Sequence, residues 1–150
     1  MFNRGQPAKL RIINMLLLNL ITGGIYKIIW IYSRIFYFNN LKSRLKLNLK
    51  MIKFTILVFF SSIFLLIIFF IVPEEYSAFI SITAQVLAIL STFLLLQLSF
   101  AIRFILLEHY GKNTPIKISA VLTLFLNVFY LQYKINRLPE TPVYNGNKYC

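Results

Sequence analysis

The most uniformly apolar feature of the chain is a stretch from Phe54 to Val72, nineteen residues without a charged side chain. Only Thr55, Ser61 and Ser62 interrupt it with hydroxyls. As a helix rising 1.5 Å per residue it reaches about 28 Å, close to the hydrocarbon thickness of a bilayer. It predicts a membrane-spanning helix. Pro73, Glu74 and Glu75 follow directly. Proline suits a helix's first turn, where its missing N–H has no partner to lose, and carboxylates there complement the positive end of the helix dipole. The pattern predicts a tight hairpin and a second helix from about Pro73. That helix is free of charge from Ser77 to Ile102, twenty-six residues. It should continue through Arg103 and Glu108 to Tyr110, with Gly111 as its stop. Such a helix is longer than a bilayer is thick, so it tilts or projects.

The flanks of this hairpin are less regular. Ile12 to Thr22 is apolar but only eleven residues long, and it contains Asn14 and Asn19. Gly23 and Gly24 then break the run, since paired glycines weaken a helix and allow a turn. Residues 25–40 mix aromatic and basic side chains: Tyr26, Lys27, Trp30, Tyr32, Arg34, Phe36, Tyr37 and Phe38. Tryptophan and tyrosine favour the membrane–water interface, and lysine and arginine can snorkel to it, so this segment predicts an interfacial helix. A cleaved signal peptide over residues 1–24 is the rival reading, but no A-x-A-like site follows the short apolar run. Thr114 and Pro115 have the order of an N-cap and a first helical residue, predicting a last helix over 115–134. Ser119, Thr123, Asn127, Tyr130 and Lys134 recur on it at three- and four-residue spacing and form a polar stripe. Residues 139–150, with two prolines, read as a disordered tail.

Composition places these helices in lipid. The 150 residues are 59% hydrophobic and 13% charged, against about 45–50% and about 25% for soluble domains. A soluble chain this short exposes too large a fraction of its surface to hide so much apolar area. The net charge of +12 comes from 16 Lys and Arg against 4 Asp and Glu. Taken alone, that balance points to nucleic acid. The apolar runs exclude a soluble basic domain, and basic loops belong beside an inner leaflet, so no nucleic-acid partner is expected. One cysteine, Cys150, and one histidine, His109, exclude a disulfide within the chain and leave a Cys/His zinc site short of ligands. No cofactor is expected.

Charge distribution also orients the chain. Between Lys27 and Lys53 lie seven basic residues and no acid, which assigns that loop to the cytoplasm. Glu74 and Glu75 then lie outside. If the first and last segments both cross, six positive charges fall outside (Arg4, Lys9, Arg11, Lys134, Arg137 and Lys148). If those segments enter and leave on one face, all sixteen remain inside, and the charge rule favours this arrangement. The expected fold class is therefore all-α integral membrane. A central two-helix transmembrane hairpin is flanked by an N-terminal glycine-broken re-entrant or interfacial segment and a C-terminal membrane helix, with 2 to 4 spans. Residues 1–138 form a single membrane domain.

The stretch Leu18-Asn-Leu-Ile-Thr-Gly-Gly-Ile-Tyr-Lys-Ile-Ile-Trp-Ile-Tyr-Ser-Arg34 resembles the opening signature of small bacterial membrane proteins grouped as domain of unknown function 4234: an apolar run, then Thr-x-Gly-Ile-Tyr-x-x-x-Trp. Leu107-Glu-His-Tyr-Gly111 and Tyr130-Leu-Gln-Tyr-Lys-Ile-Asn-Arg-Leu138 look like later parts of the same family. The resemblance implies a polytopic protein of the bacterial inner membrane and implies no activity.

No reactive constellation accompanies this frame. Glu108 and His109 are adjacent and so do not face each other on a helix; they read as a helix end at the interface. Ser61 and Ser62 lack a basic neighbour. Gly23-Gly24 is no phosphate loop, because no Lys-Ser/Thr follows and no strand precedes it. On the long second helix, Ser77, Ser81, Ala84, Gln85, Ala88, Ser91, Thr92 and Ser99 share one side, roughly a third of the circumference at 100° per residue. Small residues let membrane helices approach closely, so this is a candidate packing or homo-oligomer face, with the polar stripe of the last helix as its natural partner. The expected function is a non-enzymatic interaction, scaffold or accessory protein. Its basic cytoplasmic face, Lys42, Arg44, Lys46, Lys50 and Lys53, contacts anionic lipid or an acidic partner, including another membrane protein. The alternative is a small oligomeric transporter or channel subunit.

Overall fold

A computed structural model describes residues 10–111 and 116–138. The tail read at 139–150 and the Thr114–Pro115 start lie outside the described residues. Among the described residues five helices follow in order: α1 (Ile12–Ile21), α2 (Ile25–Asn40), α3 (Leu49–Phe69), α4 (Glu74–Tyr110) and α5 (Ala120–Asn136). Among the described residues there is no strand.

The glycine pair separates α1 from α2 by a specific device. Gly23 has φ +57° and Gly24 φ +97°, a region that favours residues without a Cβ. Gly23 N–H bonds to the Leu20 carbonyl and Gly24 N–H to the Asn19 carbonyl, the paired bonds of a Schellman ending. Thr22 serves both helices. Its hydroxyl donates to the Leu18 carbonyl at 2.7 Å and accepts the Tyr26 N–H at 3.1 Å. The chain therefore turns without leaving the first amides of α2 unsatisfied.

Asn48 caps α3, its Oδ1 accepting the Lys50 N–H at 2.8 Å. The 21 residues of α3 span about 32 Å. Pro73 stands at the N-cap position of α4 rather than inside it, with Glu74 and Glu75 in the first turn. The 37 residues of α4 extend about 55 Å. These two helices are long and apolar enough to cross a membrane. They pack on each other as a hairpin, and their outward side chains, among them Phe60, Phe64, Phe79 and Ile89, are exposed and apolar.

The buried core lies at one end of that hairpin. Trp30, Ile31 and Phe38 of α2, Met15 of α1, Leu98, Ile102, Ile105 and Leu106 of α4, and Val128 and Leu131 of α5 are almost fully enclosed. The burial of α4 is therefore densest from Leu95 onward, where α2 and α5 cover it.

The last segment departs from expectation twice. The helix expected from Thr114 and Pro115 begins at Ala120, and residues 116–119 are not helical. Ser119 is its cap, its Oγ accepting the Leu122 N–H at 3.3 Å. The run from Ala120 to Asn136 has neither glycine nor proline, so a single helix over 115–134 is the expectation. Yet Asn127 adopts φ 49°, ψ −126° and breaks α5 in two. At ψ −126° this lies outside the αL region that asparagine favours, and the side chain is held from outside its own helix, by Ser99 of α4.

Candidate functional site in the basic loop and at the end of α4

Residues 41–48 join α2 to α3, and their shape is set by side chains that replace missing helix bonds. Leu47 N–H donates to Asn39 Oδ1 at 2.7 Å, and Asn39 Nδ2 donates back to the Leu47 carbonyl at 3.1 Å. That pair closes the loop. Lys46 Nζ donates to the carbonyls of Asn39 and Leu41, both at 2.7 Å, satisfying acceptors at the C-terminal end of α2. Leu41 and Leu47 are buried beneath. The same folding leaves Lys42, Arg44, Lys46, Lys50 and Lys53 exposed on one continuous stretch.

The last turn of α4 grips this loop. Glu108 Oε2 accepts from Ser43 Oγ at 2.6 Å and from the Arg44 backbone N–H at 2.9 Å. Arg44 Nε lies 3.8 Å from Glu108 Oε1, but the arginine side chain is 98% exposed. Water screens such a pair, so the two hydrogen bonds to the carboxylate do more than the ion pair. His109 Nδ1 accepts the Lys42 N–H at 3.0 Å, which requires that nitrogen to be unprotonated. Tyr37 and Tyr110 share a hydrogen bond of 2.9 Å between their hydroxyls. Burial, reinforced by that bond, pushes the Tyr37 phenol well above its ordinary value. Glu108 and His109 do not face each other; the loop wraps the helix end and meets both. Sequence reasoning missed this role. Its only signal was a carboxylate in the last turn of a helix, where the dipole disfavours it.

A second polar cluster ties the helices together inside the core. Trp30 Nε1 donates to Gln132 Oε1 at 2.8 Å, Gln132 Nε2 donates to Asn136 Oδ1 at 2.6 Å, and Asn136 Nδ2 donates to the Leu10 carbonyl at 2.8 Å. The Arg34 guanidinium lies 4.7 Å from the centre of the Trp30 ring. Arg137 stands over Tyr133 at 4.2 Å and Lys134 over Tyr130 at 5.6 Å. Each pairing sets a cation against a ring's negative face.

The small-residue face of α4 divides. Ala84, Ser91 and Ser99 are buried, Ser77 and Ser81 are half-buried, and Gln85, Ala88 and Thr92 are exposed. Gln85 Nε2 reaches Ser81 Oγ within the same helix. Ser99 meets α5: its hydroxyl contacts Asn127 Oδ1 at the break. The α5 stripe turns the same way, with Thr123, Asn127 and Tyr130 buried. Among the described residues, no three of His, Cys, Asp and Glu gather as metal ligands. No family model matches the chain, and comparison with curated proteins and with solved structures finds no similar protein.

Proposed function

We propose that the chain is a polytopic protein of the bacterial inner membrane that acts by contact rather than catalysis, through its basic cytoplasmic face on anionic lipid or an acidic partner. The observation that carries this reading is the loop itself. Five cations on residues 42–53 stand exposed, and the acid that reaches the loop, Glu108, is part of the protein's own latch. Near an anionic leaflet each such charge contributes about 1 kcal/mol. In this reading α3 and α4 cross the bilayer, while α1–α2 and α5 enter and leave on the cytoplasmic side. The ten residues of α1 and the break in α5 at Asn127 support it, because neither leaves a continuous helix of about 20 apolar residues. The resemblance of both chain ends to domain of unknown function 4234 supports the same class.

Two experiments test it. Replacing Lys42, Arg44, Lys46, Lys50 and Lys53 with Gln should bring the preference for spin-labelled phosphatidylglycerol over phosphatidylcholine in reconstituted membranes down to parity. An unchanged preference, with topology preserved, overturns the reading. For topology, a membrane-impermeant maleimide should label Cys150 only after spheroplasts are lysed. Labelling in intact spheroplasts would place the C-terminus outside.

A second reading, a small oligomeric transporter or channel subunit lined by α4 and α5, is favoured by the buried Ser99–Asn127 contact at a helix break. Non-helical backbone at membrane depth is tolerated where it is enclosed by protein or lines a wet cavity. Crosslinking in native membranes that yields only monomer counts against it.

A further inference from the structure

Three donors of residues 42–44 converge on the end of α4. Lys42 N–H goes to His109 Nδ1, while Ser43 Oγ and Arg44 N–H both go to a single carboxylate oxygen of Glu108. Backbone amides and a hydroxyl turned to one side form a concavity that suits an anion. Arg44, whose guanidinium reaches the same carboxylate, supplies the planar fork that matches phosphate oxygens. Lys42, exposed within the same three residues, adds positive charge to the segment. The present occupant is poorly placed in one respect. Glu108 lies in the last turn of α4, at the negative end of the helix dipole. It holds its position through the loop's donors.

We propose that residues 42–44 form a phosphate-ester site that Glu108 occupies from within the chain, so that a phosphate oxygen competes with the Glu108 carboxylate for Ser43 Oγ and the Arg44 amide. This rests on the reading of the basic loop as a lipid-facing surface and adds both a specific site and its internal competitor. Glu108 is the competing group, and Ser43 and Arg44 are the binding groups. A phosphate has more acceptor oxygens than a carboxylate, so it can take the Lys42 amide as well when His109 releases it.

The full-length protein is reconstituted in phosphatidylcholine with spin-labelled phosphatidic acid, and the association of that lipid is read relative to spin-labelled phosphatidylcholine. Glu108→Asp keeps the charge and shortens the arm by one methylene. It should raise the relative association about fivefold, the size of one net hydrogen bond. Glu108→Gln keeps the arm and one acceptor oxygen but removes the charge, and should raise it by a comparable factor. Ser43→Ala placed in the Glu108→Asp background should cancel its gain, because the hydroxyl freed by the shorter arm is then gone. No gain with Glu108→Asp, or a gain that Ser43→Ala leaves intact, overturns the proposal; because the Asp variant retains a charged carboxylate, the test stands even if Glu108→Gln fails to fold. Inorganic phosphate in the buffer separates the two sources of this chemistry. Cancellation of the gain identifies free phosphate as the ligand, and persistence identifies the headgroup. A wild type with no anionic preference sinks the basic-face reading itself. A selective wild type unaffected by Glu108→Asp sinks only the internal competitor.

Discussion

Trp30 on α2 donates its indole N–H to Gln132 on α5 across 102 positions of sequence, at 2.8 Å and out of contact with solvent. Both side chains are almost fully enclosed. The bond joins the aromatic helix after the glycine break to the second half of the broken α5. From Gln132 the network continues through Asn136 to the Leu10 carbonyl, so the start of the described chain is fixed to its end.

Replacing Trp30 with Phe keeps a ring in the core and removes the donor. A buried acceptor left without its partner costs about 1–3 kcal/mol, and the Arg34 pairing with the ring weakens as well. The Trp30→Phe protein should unfold in detergent about 2 kcal/mol more easily. Trp30 is the only tryptophan, so circular dichroism is the readout. A stability equal to wild type would show that the bond contributes nothing net.

The break in α5 makes an ordered prediction. Asn127 at φ 49° supplies an acceptor to Ser99. Asn127→Ala loses that acceptor and keeps a Cβ in a backbone conformation that favours glycine, and should cost about 2 kcal/mol. Asn127→Gly loses only the acceptor and should cost about 1 kcal/mol. Ser99→Ala should cost about 0.6 kcal/mol, the average for a hydrogen bond between membrane helices. Unfolding in mixed micelles ranks them, and Gly worse than Ala at 127 would contradict the backbone geometry.

Tyr37 gives a pH dependence. Burial and the Tyr110 bond raise its pKa above the ordinary value, so the fold holds the neutral phenol. The unfolded chain begins to lose that proton near pH 10. Stability from this residue is complete below that pH and is lost as pH rises toward the folded value. Wild type should therefore lose stability above about pH 10, and Tyr37→Phe should show a shallower alkaline loss in the same titration.

The glycine turn separates backbone from packing. A Cβ on Gly24 would sit 3.6 Å from the Phe59 ring, an ordinary contact, so space is not the obstacle. Its φ of +97° is. Gly24→Ala should cost about 1–2 kcal/mol through conformation alone. Gly23, at φ +57° with nothing within 4 Å, should accept Asn at about half that cost. Thermal unfolding distinguishes the two, and equal costs would point to packing instead.

Much of this fold is legible locally. Run length and hydropathy predict α3 and α4, because an apolar helix needs no distant contact to declare itself. Pro73 with two glutamates predicts the hairpin, and Gly23-Gly24 predicts the turn before α2. The five cations of residues 42–53 were legible as a group, since they are close in sequence.

Residue pattern alone thus establishes an all-helical chain with two helices long and apolar enough to cross a bilayer, and a basic loop that follows a glycine-broken first segment. Tertiary structure alone decided where α5 begins and breaks, for Asn127 carries no glycine or proline signal and its conformation is held by Ser99 from another helix. It also decided that Glu108 and His109 grip the loop, and that Trp30 meets Gln132. The physical reason is the same in each case. Hydropathy and turn chemistry act on neighbours along the chain, whereas a hydrogen bond between side chains depends on distance in space, which only packing sets.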